Sequence, residues 1–139
     1  MPTKLAIIFS DIKIQHTVFA LPFAVMSAFL AAGGLPEMEK LVWIVVCMVG
    51  ARSAAMAFNR IVDARFDKEN PRTEDRALPS GKISVSNYAL FLVASSALFI
   101  FSAWMLNSLA FYLSPVALAI VFFYSLTKRF TAFSHFWLG

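Results

Sequence analysis

Apolar and polar positions divide the chain into four long apolar segments separated by shorter polar ones. The apolar segments are residues 18–35, 41–58, 85–106 and 109–126. Each is close to the roughly 20 residues that a helix needs to cross a bilayer. Lipid offers the backbone no hydrogen-bond partners, so each segment is expected to be helical. The pattern therefore predicts an all-α, polytopic transmembrane helix bundle, formed as a single domain over residues 1–139.

Turn-forming residues mark the breaks between these spans. Ser84 or Ser86 is a suitable cap for the third span, because a serine hydroxyl can accept from the free N–H groups of a helix start. Pro22 and Pro115 lie inside predicted spans and are expected to kink them. Residues 130–139 are apolar and aromatic, and we interpret them as the start of a fifth span.

The composition supports a membrane protein and excludes several other classes. Hydrophobic residues make up 60% of the chain, charged residues 14%, and the mean hydropathy is +0.73. An ordinary soluble domain has about 25% charged residues. A lone cysteine, Cys47, cannot form an intrachain disulfide and is interpreted as an inert buried thiol. The net charge of +4 does not indicate nucleic-acid binding, because the basic residues lie mostly between apolar segments.

The distribution of Lys and Arg predicts the orientation. Six of them fall between residues 60 and 82, whereas the link between the first two spans has only Lys40. Basic residues concentrate on the cytoplasmic side of membrane proteins. We therefore expect a multi-pass protein of the inner (cytoplasmic) membrane, with its N-terminus and an Asp-rich loop, residues 59–84, in the cytoplasm. The first span is too long for a typical signal peptide, so it is expected to remain uncleaved.

A row of oxygen-bearing side chains follows the second apolar segment. Asn59, Asp63 and Asp67 are four residues apart, and each step of four turns about 40° around a helix. The three side chains are therefore expected on one stripe. Oxygen ligands of this kind suit Mg²⁺, which takes one or two carboxylates together with substrate phosphates. The alternative is a solvated helix end in which Asp63 pairs with Lys68, or Asp67 with Arg60.

Several arginines near this row fit phosphate chemistry. Arg52 lies about two turns inside the second span, where a charge is costly and commonly functional. Arg72 and Arg76 belong to the following loop, and a guanidinium matches phosphate oxygens well. The alternatives are snorkelling of Arg52 to the surface, and a purely topological role for the loop arginines.

Five motifs stand out along the chain: Asn59-x-x-x-Asp63-x-x-x-Asp67, Pro71-Arg72-Thr73, Arg76-x-Leu78-Pro79-Ser80-Gly81, Tyr124-Ser125-x-x-Lys128-Arg129 and the segment HTVFALPFA at residues 16–24. Together they resemble the N-terminal half of the UbiA superfamily of intramembrane aromatic prenyltransferases, in particular its 4-hydroxybenzoate polyprenyltransferases. The resemblance implies the first half of a nine-helix fold, with four complete spans and the start of a fifth. It also implies Mg²⁺-dependent transfer of a polyprenyl group from an isoprenoid diphosphate to a small aromatic acceptor such as 4-hydroxybenzoate, in ubiquinone or menaquinone biosynthesis.

The resemblance also assigns roles to residues of this chain. Asn59, Asp63 and Asp67 would hold the metal, with Asp63 and Asp67 as the catalytic pair. The diphosphate would be bound by Asn59, Arg52, Arg72, Lys128 and Arg129. Lys13 and His16 would face the acceptor or the lipid headgroups.

The chain departs from the family pattern at one point. No Asp or Glu follows Asp75, so the second Asp-rich motif is absent. We expect either a truncated piece of a longer protein or a short relative that is inactive alone. The functional alternative is a non-catalytic four-helix membrane protein that binds or assembles with a partner. A CDP-alcohol phosphotransferase is disfavoured, because the segment 63–65 lacks the spacing of that family's motif. The sequence does not define the acceptor, the prenyl chain length or the oligomeric state.

Overall fold

The computed structural model describes residues 2–127 and 130, and helices make up most of that part of the chain. It has five α-helices and one 3-10 helix, with no strand among the described residues. The α-helices are α1 (Lys4–Asp11), α2 (Leu21–Ala32), α3 (Met38–Lys68), α4 (Val85–Leu106) and α5 (Ser108–Thr127). The 3-10 helix, Ile14–Ala20, joins α1 to α2. The predicted all-α bundle is confirmed, whereas the predicted start of a fifth span lies outside the described residues except for Phe130.

Four helical stretches are long and apolar enough to cross a bilayer by length and composition. They are Ile14–Ala32, Met38–Lys68, Val85–Leu106 and Ser108–Thr127. Many large apolar side chains on them point outward, among them Phe19 and Leu30 on the first and Tyr112 on the last. Such exposure is costly in water but not in lipid, because lipid tails are as apolar as the side chains themselves.

The first span is built from two helix types. Lys13 has a left-handed backbone conformation, with φ of 52°, and the 3-10 helix starts directly after it. Pro22 lies in the first turn of α2 rather than in its interior. A proline there removes only an N–H that has no partner within the helix, so the predicted kink at Pro22 is wrong. Gly33 ends α2 with φ of 64°, a conformation that glycine adopts without strain.

Helix α3 is longer than the span that the apolar segment predicted. It has 31 residues, which corresponds to about 46 Å at 1.5 Å per residue. The hydrocarbon core of a bilayer is about 30 Å thick, so one end of α3 extends well beyond it. The predicted loop boundary at residue 59 is therefore wrong: residues 59–68 are helical, and the loop between α3 and α4 comprises residues 69–84. An apolar segment ends where lipid ends, but backbone hydrogen bonding continues into the polar region.

Helices α3 and α4 approach each other closely at Gly50. A Cβ atom on Gly50 would lie 3.0 Å from the backbone N of Phe99 and 3.2 Å from the backbone O of Ser95. Ser53 and Ala54, the next positions toward the motif, are buried as well. Small residues of this kind let two membrane helices come into contact over their backbones.

A compact apolar cluster packs α1 and the 69–84 loop against one end of α3 and α4. Its buried members are Ile8, Ile12, Ala57, Ala77, Leu78, Ile83, Tyr88 and Phe91. Ser84 caps α4 as one of the two predicted candidates, since its hydroxyl accepts from the backbone N–H of Asn87. The loop is thus a folded part of the molecule, and it lies beside the end of α3 that carries the oxygen row.

Candidate active site

The predicted oxygen row lies on the extended end of α3. Because the helix is continuous to Lys68, Asn59, Asp63 and Asp67 do occur at successive turns. The row covers about 12 Å along the helix axis at 1.5 Å per residue. Asn59 and Asp63 are half-buried, and Asp67 is buried. The row is therefore built on a rigid element rather than on a loop.

Asp67 holds the 69–84 loop through Arg76. The Nη1 atom of Arg76 donates to both carboxylate oxygens of Asp67, at 2.8 and 2.7 Å. The hydroxyl of Thr73 donates to the backbone carbonyl of Asp67 at 3.0 Å. Charge-assisted hydrogen bonds of this kind are the strong ones in proteins. The predicted alternative pairing of Asp67 with Arg60 is wrong, because Arg60 turns to a different acid.

Arg72 remains on the exposed side of this loop. The backbone N–H of Arg72 donates to the side-chain oxygen of Asn70 at 3.0 Å, which forms a tight turn just after α3. Further along the loop, Ala77 and Leu78 are buried in the apolar cluster. The guanidinium of Arg72 is at the surface. Arg72 is accordingly placed where a phosphate can reach it.

Arg52 lines a cleft in the membrane-spanning region. The cleft has a volume of about 440 Å³, and it is bounded by Arg52, His16, Phe19, Ala20 and Phe23. The Nε atom of Arg52 is buried and has no hydrogen-bond partner among the described residues. A buried donor without a partner is costly, which makes this guanidinium well suited to an incoming acceptor group.

The cleft and the oxygen row share one face of α3. Asn59 is seven positions after Arg52, which places the two about 10 Å apart along the helix and within about 20° around it. His16, which was expected to face the acceptor or the lipid headgroups, lines this cleft. The centroid of its ring is 5.8 Å from that of Phe19. Lys13 is exposed and is not part of the cleft lining. Lys128 and Arg129 lie outside the described residues.

Asp11 and Tyr88 take part in a set of polar contacts near the oxygen row. The sequence did not predict these contacts. Arg60 Nη2 donates to the backbone carbonyl of Asp11 at 2.8 Å, and Arg60 Nε lies 3.3 Å from Asp11 Oδ2. The Tyr88 hydroxyl donates to Asp11 Oδ2, and the backbone N–H of Ala77 donates to Asp11 Oδ1 at 3.2 Å. We call these four residues the Asp11 junction. No local pattern could have revealed it, because the partners are 49 to 77 residues apart in sequence.

The donor set on α3 suits a hard divalent cation that also binds substrate. Asn59 and Asp63 offer an amide oxygen and a carboxylate, and Mg²⁺ completes its octahedron with water and phosphate oxygens. Among the described residues, no three Asp, Glu, His or Cys side chains converge on one point. The residues present thus fit part of a metal–diphosphate site, in which Asn59 and Asp63 would contribute oxygen ligands and the Asp67 carboxylate is bound to Arg76.

Comparison with known proteins identifies the family. The model of the UbiA prenyltransferase family matches residues 20–139. A 4-hydroxybenzoate octaprenyltransferase of Shewanella loihica is 33% identical over 114 residues, which are 82% of this chain and 40% of that protein. The same-named protein of Shewanella halifaxensis is 37% identical over 115 residues, again 82% of this chain and 40% of that protein.

A solved structure agrees with these relatives. It is the apo structure of a UbiA homolog from Aeropyrum pernix K1, which is 38% identical, with a TM-score of 0.83 over 90% of this chain and 45% of that one. The chain belongs to the UbiA prenyltransferase family. It is a multi-pass membrane protein, and it spans about two fifths of the length of the relatives that it matches.

Proposed function

We propose that this chain forms the donor-binding half of a prenyltransferase. The enzyme would transfer a polyprenyl group from an isoprenoid diphosphate to a small aromatic acid such as 4-hydroxybenzoate, in quinone biosynthesis. The observation that carries the proposal is the position of the oxygen row, at the extended end of a membrane-spanning helix and in line with the Arg52 cleft. The names of the relatives support the same reaction.

Asn59 and Asp63 would hold Mg²⁺ together with the donor's diphosphate. When bound, the ion neutralises charge that develops on the leaving diphosphate. Arg72 would contribute a cation from the loop, and Lys128 and Arg129 are proposed to do so from the end of α5. Asp67 would act mainly by holding the loop in place through Arg76, which revises its predicted role as a metal ligand and catalytic residue.

Arg52 is proposed to bind the carboxylate of the acceptor rather than the diphosphate. The two backbone positions are about 10 Å apart along α3, so Arg52 lies about two turns deeper in the bundle than a diphosphate bound at Asn59. A small aromatic acid could bridge that distance in part, with its carboxylate on Arg52 and its ring among Phe19 and Phe23. The apolar lining would also exclude water from the allylic cation that forms as the diphosphate leaves.

The proposed orientation places the oxygen row on the cytoplasmic side. Asp11 and Ala77 are hydrogen-bonded to each other, so α1 and the 69–84 loop lie at the same end of the bundle. That end carries most of the Lys and Arg residues, whereas Lys40 is at the other. Basic residues favour the cytoplasmic face. A reporter that is active only in the cytoplasm should therefore be active when it is fused to the N-terminus. A reporter that is active only on the other side of the inner membrane should be inactive in the same fusion.

The test is transfer of a radiolabelled prenyl chain by the full-length protein in proteoliposomes. Asp63→Ala should lower transfer by at least about 100-fold, because removal of a metal-site carboxylate affects both binding and charge stabilisation. Glu74→Ala is a matched control, because Glu74 is an exposed acid of the neighbouring loop. Transfer that is unchanged in Asp63→Ala would refute the site, and metal-dependent diphosphate binding without any transfer would favour a non-catalytic binding protein.

A further inference from the structure

The Asp11 junction ties four separate segments to one carboxylate. Asp11 ends α1, Arg60 belongs to α3, Ala77 to the loop, and Tyr88 to the first turn of α4. Both carboxylate oxygens and the backbone carbonyl of Asp11 are used. A change at this acid therefore alters contacts with α3, the loop and α4 together.

The junction is buried, so its geometry is restrictive. The side chains of Asp11 and Arg60 are 10% and 6% exposed, and Tyr88 is fully buried. Arg60 Nε makes no hydrogen bond among the described residues, although it lies 3.3 Å from Asp11 Oδ2. Removal of one partner of a buried ion pair leaves the other charge uncompensated, which is strongly destabilising. Hydrogen bonds between helices add to van der Waals packing in holding a membrane bundle together, and those of the junction join α1, α3, the loop and α4.

The junction adjoins the oxygen row at two points. Arg60 directly follows Asn59 in α3, so its side chain leaves the helix about 100° away from that of Asn59, and it is buried. Ala77 directly follows Arg76, the residue that holds Asp67. The junction therefore fixes both the rotation of α3 and the position of the loop.

We propose that the Asp11 junction positions Asn59 and Asp63 for the divalent ion, so that Asp11, Arg60 and Tyr88 are positioning residues of the site. This inference rests on the proposed function. The junction touches neither ion nor substrate, and it acts by keeping α3 in register with α1 and α4. Loss of one contact should therefore weaken metal binding while the metal-binding side chains themselves remain.

The experiment measures binding of Mn²⁺ in the presence of inorganic pyrophosphate, by electron paramagnetic resonance on the full-length protein in nanodiscs. The variants are Tyr88→Phe and Arg60→Lys. Tyr112→Phe and Arg65→Lys are the matched controls, because both parent residues are exposed. Loss of an outer contact behind metal ligands commonly weakens metal affinity 10- to 100-fold. We expect about a 10-fold weaker Mn²⁺ affinity in both junction variants and none of this loss in the controls.

A second measurement separates positioning from general damage. Prenyl transfer by Tyr88→Phe should be reduced at low Mn²⁺ and should return to the wild-type rate when Mn²⁺ is saturating. If Tyr88→Phe folds and binds Mn²⁺ as tightly as wild type, the inference is wrong while the proposed function stands. If Tyr88→Phe does not fold, or if its rate stays low at saturating Mn²⁺, the junction contributes stability alone and the inference is also wrong.

The two proposals fail in different ways. If the wild-type protein binds no Mn²⁺ in the presence of pyrophosphate, both the proposed function and the inference are refuted. If Arg60→Lys proves unstable, Tyr88→Phe still decides the result, because it removes only a hydroxyl group.

Discussion

The contact between Arg76 and Asp67 gives a prediction whose magnitude can be worked from the structure. Arg76→Gln removes the cation and leaves the Asp67 carboxylate with a neutral amide. Removing one partner of a fully buried pair costs about 3–5 kcal/mol, whereas an exposed pair contributes about 0.2–1 kcal/mol. The Asp67 side chain is 11% exposed and that of Arg76 is 32% exposed, so water can replace part of the guanidinium. We expect Arg76→Gln to lower the free energy of unfolding by about 2 kcal/mol, between these limits.

The assay is SDS-induced unfolding of the full-length protein in mixed micelles, arranged as a double-mutant cycle. The cycle combines Asp67→Asn with Arg76→Gln and isolates the energy that the two side chains share. That coupling energy should be about 1.5–2 kcal/mol, at the lower end of the range for hydrogen bonds to charged groups. Arg65→Gln is the control, because Arg65 is an exposed arginine on the same helix end. It should change stability by less than about 0.5 kcal/mol.

A coupling energy below about 0.5 kcal/mol would refute the view that Asp67 holds the loop. The prediction that Asp67 ligates the metal would then be favoured. That prediction gives the opposite result for Mg²⁺ affinity, because Arg76→Gln would release the Asp67 carboxylate and tighten Mg²⁺ binding. If Asp67 is the anchor of the loop, Arg76→Gln should instead weaken Mg²⁺ binding or leave it unchanged.

Three further outcomes are expected. Gly50→Leu should destabilise the same SDS unfolding by about 1–3 kcal/mol, since its side chain would meet the Phe99 backbone; an unchanged midpoint would contradict the close helix contact. Ser84→Ala should cost about 1 kcal/mol through loss of the α4 cap, and an equal loss in Ser86→Ala would show that capping is not the cause. Arg52→Gln should raise the KM for the aromatic acid about 10-fold or more and leave that for the diphosphate donor unchanged. The reverse pattern would restore Arg52 to diphosphate binding.

The sequence predicted the parts of this fold that local physics determines. The length of an apolar segment is set by the bilayer, so the four spans could be recognised from the order of apolar and polar residues along the chain. The stripe formed by Asn59, Asp63 and Asp67 follows from the fixed turn of an α-helix. The end of α3 at Lys68 could not be found in this way, because hydropathy marks where lipid ends and not where a helix ends.

The ion-pair partners could not be predicted from residues that are close together in the sequence. The alternative prediction paired acids of α3 with bases within a few residues, yet Arg60 binds Asp11 and Asp67 binds Arg76. These partners are brought together by the packing of α1 and the loop onto α3, which depends on the whole apolar cluster. Tyr88 gave no signal, since its single hydroxyl lies within an apolar segment.

The length of α3 explains why the polar contacts and the candidate site occupy the same end of the bundle. About 16 Å of this helix extends past the hydrocarbon, where a charge no longer carries the full cost of burial in lipid. An isoprenoid diphosphate has the same division, with a charged headgroup that needs water and a tail that needs lipid. One continuous helix can therefore present Asn59 and Asp63 to the headgroup and Arg52, about two turns deeper, to a molecule beside the tail. A helix that ended with its apolar segment would carry the cleft but not the oxygen row, so the proposed site depends on the continuation of α3 to Lys68.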